Sequence, residues 1–241
     1  MARIDESKCI ACGSCLTVCP MAAIGLEDVA VVDQDECVDC GVCIRSGVCP
    51  VGAFEMVESE WPRSLRAVFS DPTRSHAQTN VPGRGTEEMK TNDVTGVFQR
   101  GHVGIGLEFG RPGIGTTFRD VDLVGRAMAR EGAQFRPENP VTFLMEDTRT
   151  GALKEDILDE KVLSAIIEFT IPIEKMRPVL TTLREVSKQV KTVFSVECIN
   201  VIEPDGSVPM DKILDELGIA HYPNGKTNLG LGRMPTKGGT R

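Results

Sequence analysis

Histidine is scarce in this chain of 241 residues, and the three present, His76, His102 and His221, stand far apart. No Ser/His/Asp set, no zincin motif and no glycine fingerprint for a flavin or nicotinamide cofactor occurs. The catalytic constellations that those spacings build are therefore missing. Long apolar runs are missing too, since none approaches the ~18 residues needed to span a membrane. The opening MARIDESK has no apolar signal core, and no twin arginine precedes the cysteines; the expected location is cytoplasmic. There is no basic excess, because the net charge is −8. Residues 1–60 carry eleven acidic side chains against three basic ones (Arg3, Lys8 and Arg45), and residues 61–241 are balanced. Nucleic acid is excluded as an expected partner, because phosphate binding needs a basic face. A basic docking patch on another protein suits the acidic N-terminal quarter better; the plain alternative is that the acid keeps a small domain soluble.

Cysteine is what the chain has. Eight of its nine cysteines lie between Cys9 and Cys49, in CIACGSCLTVCP and CVDCGVCIRSGVCP. The first block places Cys9, Cys12, Cys15 and Cys19 before Pro20, and the second places Cys37, Cys40, Cys43 and Cys49 before Pro50. Such short spacing in a reducing compartment argues for metal rather than disulfides. The blocks repeat with an offset of 28 residues. Each runs from an acidic lead-in (Asp5-Glu6; Asp35-Glu36) through its cysteines to Cys-Pro and a small apolar run. Gly13 and Gly41 follow the second cysteine of each block and let backbone approach a bound group closely.

Residues 1–58 resemble the bacterial-type dicluster ferredoxin family, in which C-x2-C-x2-C-x3-C-P carries a 4Fe-4S cluster and the fourth cysteine ligates the other block's cluster. The resemblance implies two 4Fe-4S clusters, the first on Cys9, Cys12, Cys15 and Cys49 and the second on Cys37, Cys40, Cys43 and Cys19. It implies single-electron transfer. One departure stands out: five residues, Ile44-Arg45-Ser46-Gly47-Val48, separate Cys43 from Cys49 where the family pattern has three. This insertion bulges the loop beside the second cluster and changes its surroundings. A three-iron cluster or a zinc site is the alternative. Four cysteines in each block disfavour the former, and zinc does not need a crossed repeat. Radical chemistry on S-adenosylmethionine would need C-x3-C-x2-C, but Ala22 stands where the third cysteine would fall.

The remaining three quarters divide by texture. Residues 59–100 are rich in proline and glycine and read as an extended linker lying on a neighbouring surface, with a short strand hinted at by Leu65, Ala67 and Phe69 and with Trp61 as a plug between domains. Residues 101–203 show periodicity. Strands are predicted at Val103–Phe109, 141–145, 162–171 and 193–202. One helix follows Thr117-Phe118-Arg119-Asp120, a capping box, with a stripe of Phe118, Val121, Val124 and Met128 and a stop at Gly132. A second opens at Pro172, with Ile173, Met176, Leu180, Leu183 and Val190 on its stripe. The expected fold class is α+β: an N-terminal dicluster ferredoxin domain plus a βαββαβ ferredoxin-like domain with an antiparallel sheet. By topology alone it resembles ACT-type regulatory domains. Residues 204–241 hold a short helix, Met210–Leu217, and a basic glycine-rich tail in which Leu229 and Leu231 suggest contact with a partner.

Two further features are candidates. Gly110–Thr116 joins a strand to a helix N-terminus and suits either an anion pocket or a tight turn. Cys198 is expected to be a buried, inert thiol. The reading of the whole is an electron-transfer subunit of an oxidoreductase, in a hetero-oligomeric complex with a redox partner or catalytic subunit. The alternative is a redox- or ligand-sensing regulator that uses the ACT-like domain.

Overall fold

A computed structural model describes residues 1–80, 85–86, 88–111 and 113–221. Pro82, Pro112, Leu229 and Leu231, and with them the tail, lie outside the described residues.

The N-terminal quarter is built from short pieces. β1 (Ala2–Ile4) pairs antiparallel with β4 (Phe54–Met56), closing the first sixty residues into a loop. β2 (Ile24–Leu26) and β3 (Ala30–Val32) form a hairpin between the cysteine blocks, and α1 (Val42–Arg45) is a single turn after Gly41. The apolar core here is tiny: Cys15, Ile24 and Ala30 are buried, with half-buried Ile4, Val32, Val48 and Phe54 and several cysteines packed on them. So small a core does not hold a domain of this size without a staple.

The segment 59–100, expected as an extended linker, contains α2 (Ser64–Ser70) and α3 (Glu88–Thr95). The hinted strand is α2. Leu65 and Phe69 are four residues apart, so one helical face carries both into the main core, at 5% and 1% exposure.

The larger unit carries a four-stranded antiparallel sheet in the order β12–β5–β11–β7, formed by β5 (His102–Phe109), β7 (Gln134–Phe135), β11 (Ala165–Pro172) and β12 (Phe194–Ile199). In chain order that is fourth, first, third, second, the arrangement two split crossovers make when laid side by side. Unrelated domains share such an order, so it carries no ligand with it. α4 (Phe118–Glu131) and α5 (Met176–Val186) cover the face bearing Val103, Ile105, Leu107 and Phe109 from β5 and Ala165, Ile167, Phe169 and Ile171 from β11. All eight are at most 1% exposed, as the period-two alternation requires. α4 begins and ends where expected: Thr117 Oγ1 accepts from the Asp120 N–H, and Gly132 takes a left-handed φ of 91°. α6 (Pro209–Glu216) adds Met210 and Ile213 to the same core.

Two strand expectations change. Residues 141–145 make a 3-10 turn (Thr142–Leu144) leading into β8 (Met145–Asp147), which pairs with β9 (Ala152–Leu153) outside the main sheet. Asn139 causes this, since its Oδ1 accepts from the Val141 N–H and starts the turn. The second strand of the sheet is instead the two-residue β7. The third breaks in two: β10 (Lys161–Val162) pairs with β6 (Thr116–Thr117), and β11 starts after Leu163, whose N–H is taken by Ser70 Oγ. After Pro172 the chain makes a 3-10 turn before α5.

Candidate metal centre

The two cysteine blocks fold alike. Ala11 and Asp39, each just before the second cysteine of its block, have φ of 53° and 54°, and Gly13 and Gly41 just after have 72° and 69°. Left-handed residues in such loops turn successive N–H groups inward into a concave, anion-accepting nest. Two further left-handed residues, Ala22 (φ 51°) and Gly52 (φ 61°), precede N–H groups that reach sulfur: Ala23 N–H donates to Cys19 Sγ at 3.2 Å and Ala53 N–H to Cys49 Sγ at 3.2 Å. Ala30 N–H donates to Cys9 Sγ at 3.4 Å.

The chain brings the cysteines into two sets. Cys9, Cys12, Cys15 and Cys49 line one cavity, walled by Ile4, Ala30 and Phe54. Burial pushes the Cys15 thiol up, and the further charges acting on it are those of Cys12, Cys9 and Cys49. In the other set burial pushes Cys43 up to about 11, helped by Cys40, Cys37 and Cys19. Burial likewise raises Cys37 and Cys40, whereas exposed Cys12 is lowered by its hydrogen bond with Ser14. Buried sulfurs that resist ionisation yet face inward N–H donors suit a cationic, thiolate-binding group, which supplies the charge the pocket lacks. Among the described residues no three His, Cys, Asp or Glu side chains converge tightly enough for one metal ion.

The two sets differ in their surroundings. The insertion after Cys43 forms the end of α1 and a turn at Gly47, and it ties the loop outward: Arg45 donates to the Cys40 carbonyl at 2.6 Å and pairs with Asp71 at 2.9 Å. Two arginines from α2 and its lead-in add to this. Arg66, 7% exposed, donates to the carbonyls of Gln34 (2.9 Å), Asp35 (3.2 Å) and Cys37 (2.9 Å) and pairs with Glu160. Arg63 donates to the Gln34 carbonyl at 2.9 Å and pairs with buried Asp39 at 3.3 Å. Sequence reading passed over both arginines. Their signal is PRSLRAVF, with Arg63 and Arg66 one turn apart and Leu65 and Phe69 on a helical stripe.

The remaining candidates resolve differently. In Gly110–Thr116 the Gly110 N–H is taken by Val193 and the Gly115 N–H by Gly110, and the N–H groups that open the helix after it are taken too, Phe118 by Glu160, Arg119 by Leu158 and Asp120 by Thr117. The described residues of this loop offer an anion no free helix N-terminus. The loop faces the cluster domain instead, with Gly113 near the Pro20 carbonyl and Gly115 near Met21. Trp61 is not a buried plug; it is 47% exposed, donates to Asp156 and lies under Lys154 Nζ, 5.5 Å from its ring centre. Cys198 lies on the edge strand β12, where the residue keeps an exposed surface although protein crowds its sulfur. The protein packed around its sulfur pushes the thiol up to about 12, with Glu197 adding to the rise, so it is not activated.

Residues 2–56 match the family model of the 4Fe-4S dicluster domain, and that N-terminal segment is the one part of the chain matched. No curated protein matches the chain.

Proposed function

We propose that the chain is the iron–sulfur electron-transfer subunit of a cytoplasmic oxidoreductase complex, relaying single electrons to or from a catalytic partner. Cys9, Cys12, Cys15 and Cys49 hold one 4Fe-4S cluster, and Cys37, Cys40, Cys43 and Cys19 hold the other. The observation that carries this reading is the mutual approach of those two crossed sets of sulfurs. Each cluster, when bound, takes up and returns one electron. The chain's own residues set how readily this happens. The N–H groups of Ala23, Ala30 and Ala53 stabilise negative sulfur, and the buried walls restrict water. No helix among the described residues is long and apolar enough to cross a membrane. The acidic N-terminal quarter favours a partner with a basic docking face. The larger domain packs against the cluster domain through Arg66–Glu160 and Lys161–Glu36, so it serves as scaffold for the second site.

Anaerobic reconstitution tests the reading. It requires about eight irons per chain, matching acid-labile sulfide, and a reduced-state EPR spectrum of two interacting spins. Zinc in place of iron, or a loaded protein that exchanges electrons with no protein partner, overturns it.

A further inference from the structure

The repeat makes the two cysteine loops equivalent, but the fold treats them oppositely. Ile10 and Val38 occupy the same position 28 residues apart, and are 60% and 1% exposed. Cys12 is exposed whereas its equivalent Cys40 is 9% exposed. The outer side of the second loop is occupied: Arg63 and Arg66, one helical turn apart, fill the carbonyls of Gln34, Asp35 and Cys37. One repeat earlier those carbonyls belong to Glu6, Ser7 and Cys9. Glu6 and Ser7 are exposed, and among the described residues no donor reaches any of the three. Beside them Ile10 and Val51, 39% exposed, form an apolar rim on the cavity of the first cysteine set.

We propose that this first loop is the chain's electron-exchange face. Its occupant is a helix of a redox partner protein that presents two arginines one turn apart and an apolar contact, as α2 does for the second loop. The proposal rests on the electron-transfer reading above and specifies its partner. Three observations converge on that chemistry. The unfilled carbonyls are acceptors in the geometry that guanidinium groups satisfy one repeat later. The surrounding domain is acidic, with eleven acidic side chains against three basic ones, so a cationic helix is drawn to it. Ile10 and Val51 supply the desolvated centre that a polar rim alone does not. The second loop cannot serve equally, because its equivalent surface is already covered from within the chain.

The test uses the full, iron-loaded chain, reduced by the methyl viologen radical cation. The probe is a synthetic peptide of residues 59–72, which carries Arg63 and Arg66. Saturating peptide is expected to slow cluster reduction about tenfold and to shift the EPR signal of one cluster only. The same peptide bearing R63Q and R66Q is expected to do neither. In the chain, Ile10→Lys removes the peptide effect, and Val51→Lys does so as a second variant should the first fail to load iron. Ile202→Lys, at an exposed position of the larger domain, keeps it. A reduction rate indifferent to the peptide, equal inhibition by both peptides, or inhibition that survives Ile10→Lys and Val51→Lys overturns the proposal. A chain that takes up no iron and gives no EPR signal defeats the electron-transfer reading instead, so the two failures are distinguishable.

Discussion

Arg66 reaches the Cys37 carbonyl at 2.9 Å from helix α2 while its Nε faces Glu160 of the larger domain. One buried guanidinium thus fastens the second cysteine loop to a scaffold more than a hundred residues further along the chain. Both partners are mostly enclosed, with side-chain exposures of 8% and 14%. Removing one member therefore strands the other. Arg66→Gln is expected to cost about 3–5 kcal/mol, and calorimetry of the iron-loaded protein should show Tm lowered by roughly 10 °C. Glu160→Gln leaves the three carbonyl contacts in place and should cost less than half as much. Equal losses for the two variants would show that the carbonyl contacts add nothing.

Gly151 sits with φ of 69° against α4, and a Cβ there would lie 2.4 Å from the Gly125 carbonyl oxygen. That oxygen belongs to a helix backbone and does not yield as a flexible side chain would. Gly151→Ala combines a left-handed backbone with an immovable clash, and is expected to cost about 2–5 kcal/mol. Chemical denaturation should show the loss as a lower midpoint with an unchanged slope. A variant as stable as the parent would mean that the β8–β9 hairpin is free to lift from α4.

His76 is 4% exposed, packed near Phe69 and Phe143 with ring centres 6.4 and 5.7 Å away, and among the described residues its Nδ1 has no hydrogen-bond partner. Burial lowers its ionisation below the ordinary 6.5. Above pH 6.5 neither the folded nor the unfolded chain protonates this ring, so the full stability is present. As pH falls below that value the unfolded chain gains a proton that the folded chain refuses, and stability declines until the lowered folded value is reached. His76→Phe should flatten the Tm profile below pH 6.5 relative to the parent. Parallel profiles for the two proteins would refute it.

Sequence legibility followed the range of the interactions. β5 was readable because Val103, Ile105, Leu107 and Phe109 alternate over a whole strand, and α4 because Thr117, its stripe and Gly132 are local signals. The apolar run at 141–145 misled because a short run suits a strand or a turn equally, and Asn139 decided it through a side-chain hydrogen bond. Leu65, Ala67 and Phe69 misled in the same way. They alternate like a strand, but Leu65 and Phe69 also share a helical face, and the tertiary core selected that face. The cysteine loops were legible as motifs, down to the insertion that carries Arg45. Their unequal burial was not, because it depends on Arg63 and Arg66 meeting carbonyls 29 and more residues away in the chain.

The crossing of the sulfurs makes an unusually specific prediction. Cys19 lies in the first block, but its charge acts on Cys43 and Cys40 of the second. Cys49 lies in the second block, yet it lines the cavity of Cys9, Cys12 and Cys15. Replacing a thiolate by an alkoxide donor changes one iron's ligand field and leaves the distant cluster intact. Cys49→Ser should therefore alter the EPR signal that Cys12→Ser also alters, and Cys19→Ser the signal that Cys40→Ser alters. Because the first set is the more exposed, with Cys12 open to solvent and Cys40 only 9% exposed, the Cys12 and Cys49 variants should also lose iron faster in air. If Cys49→Ser groups with Cys40→Ser instead, each block binds its own cluster and the crossed assignment is wrong.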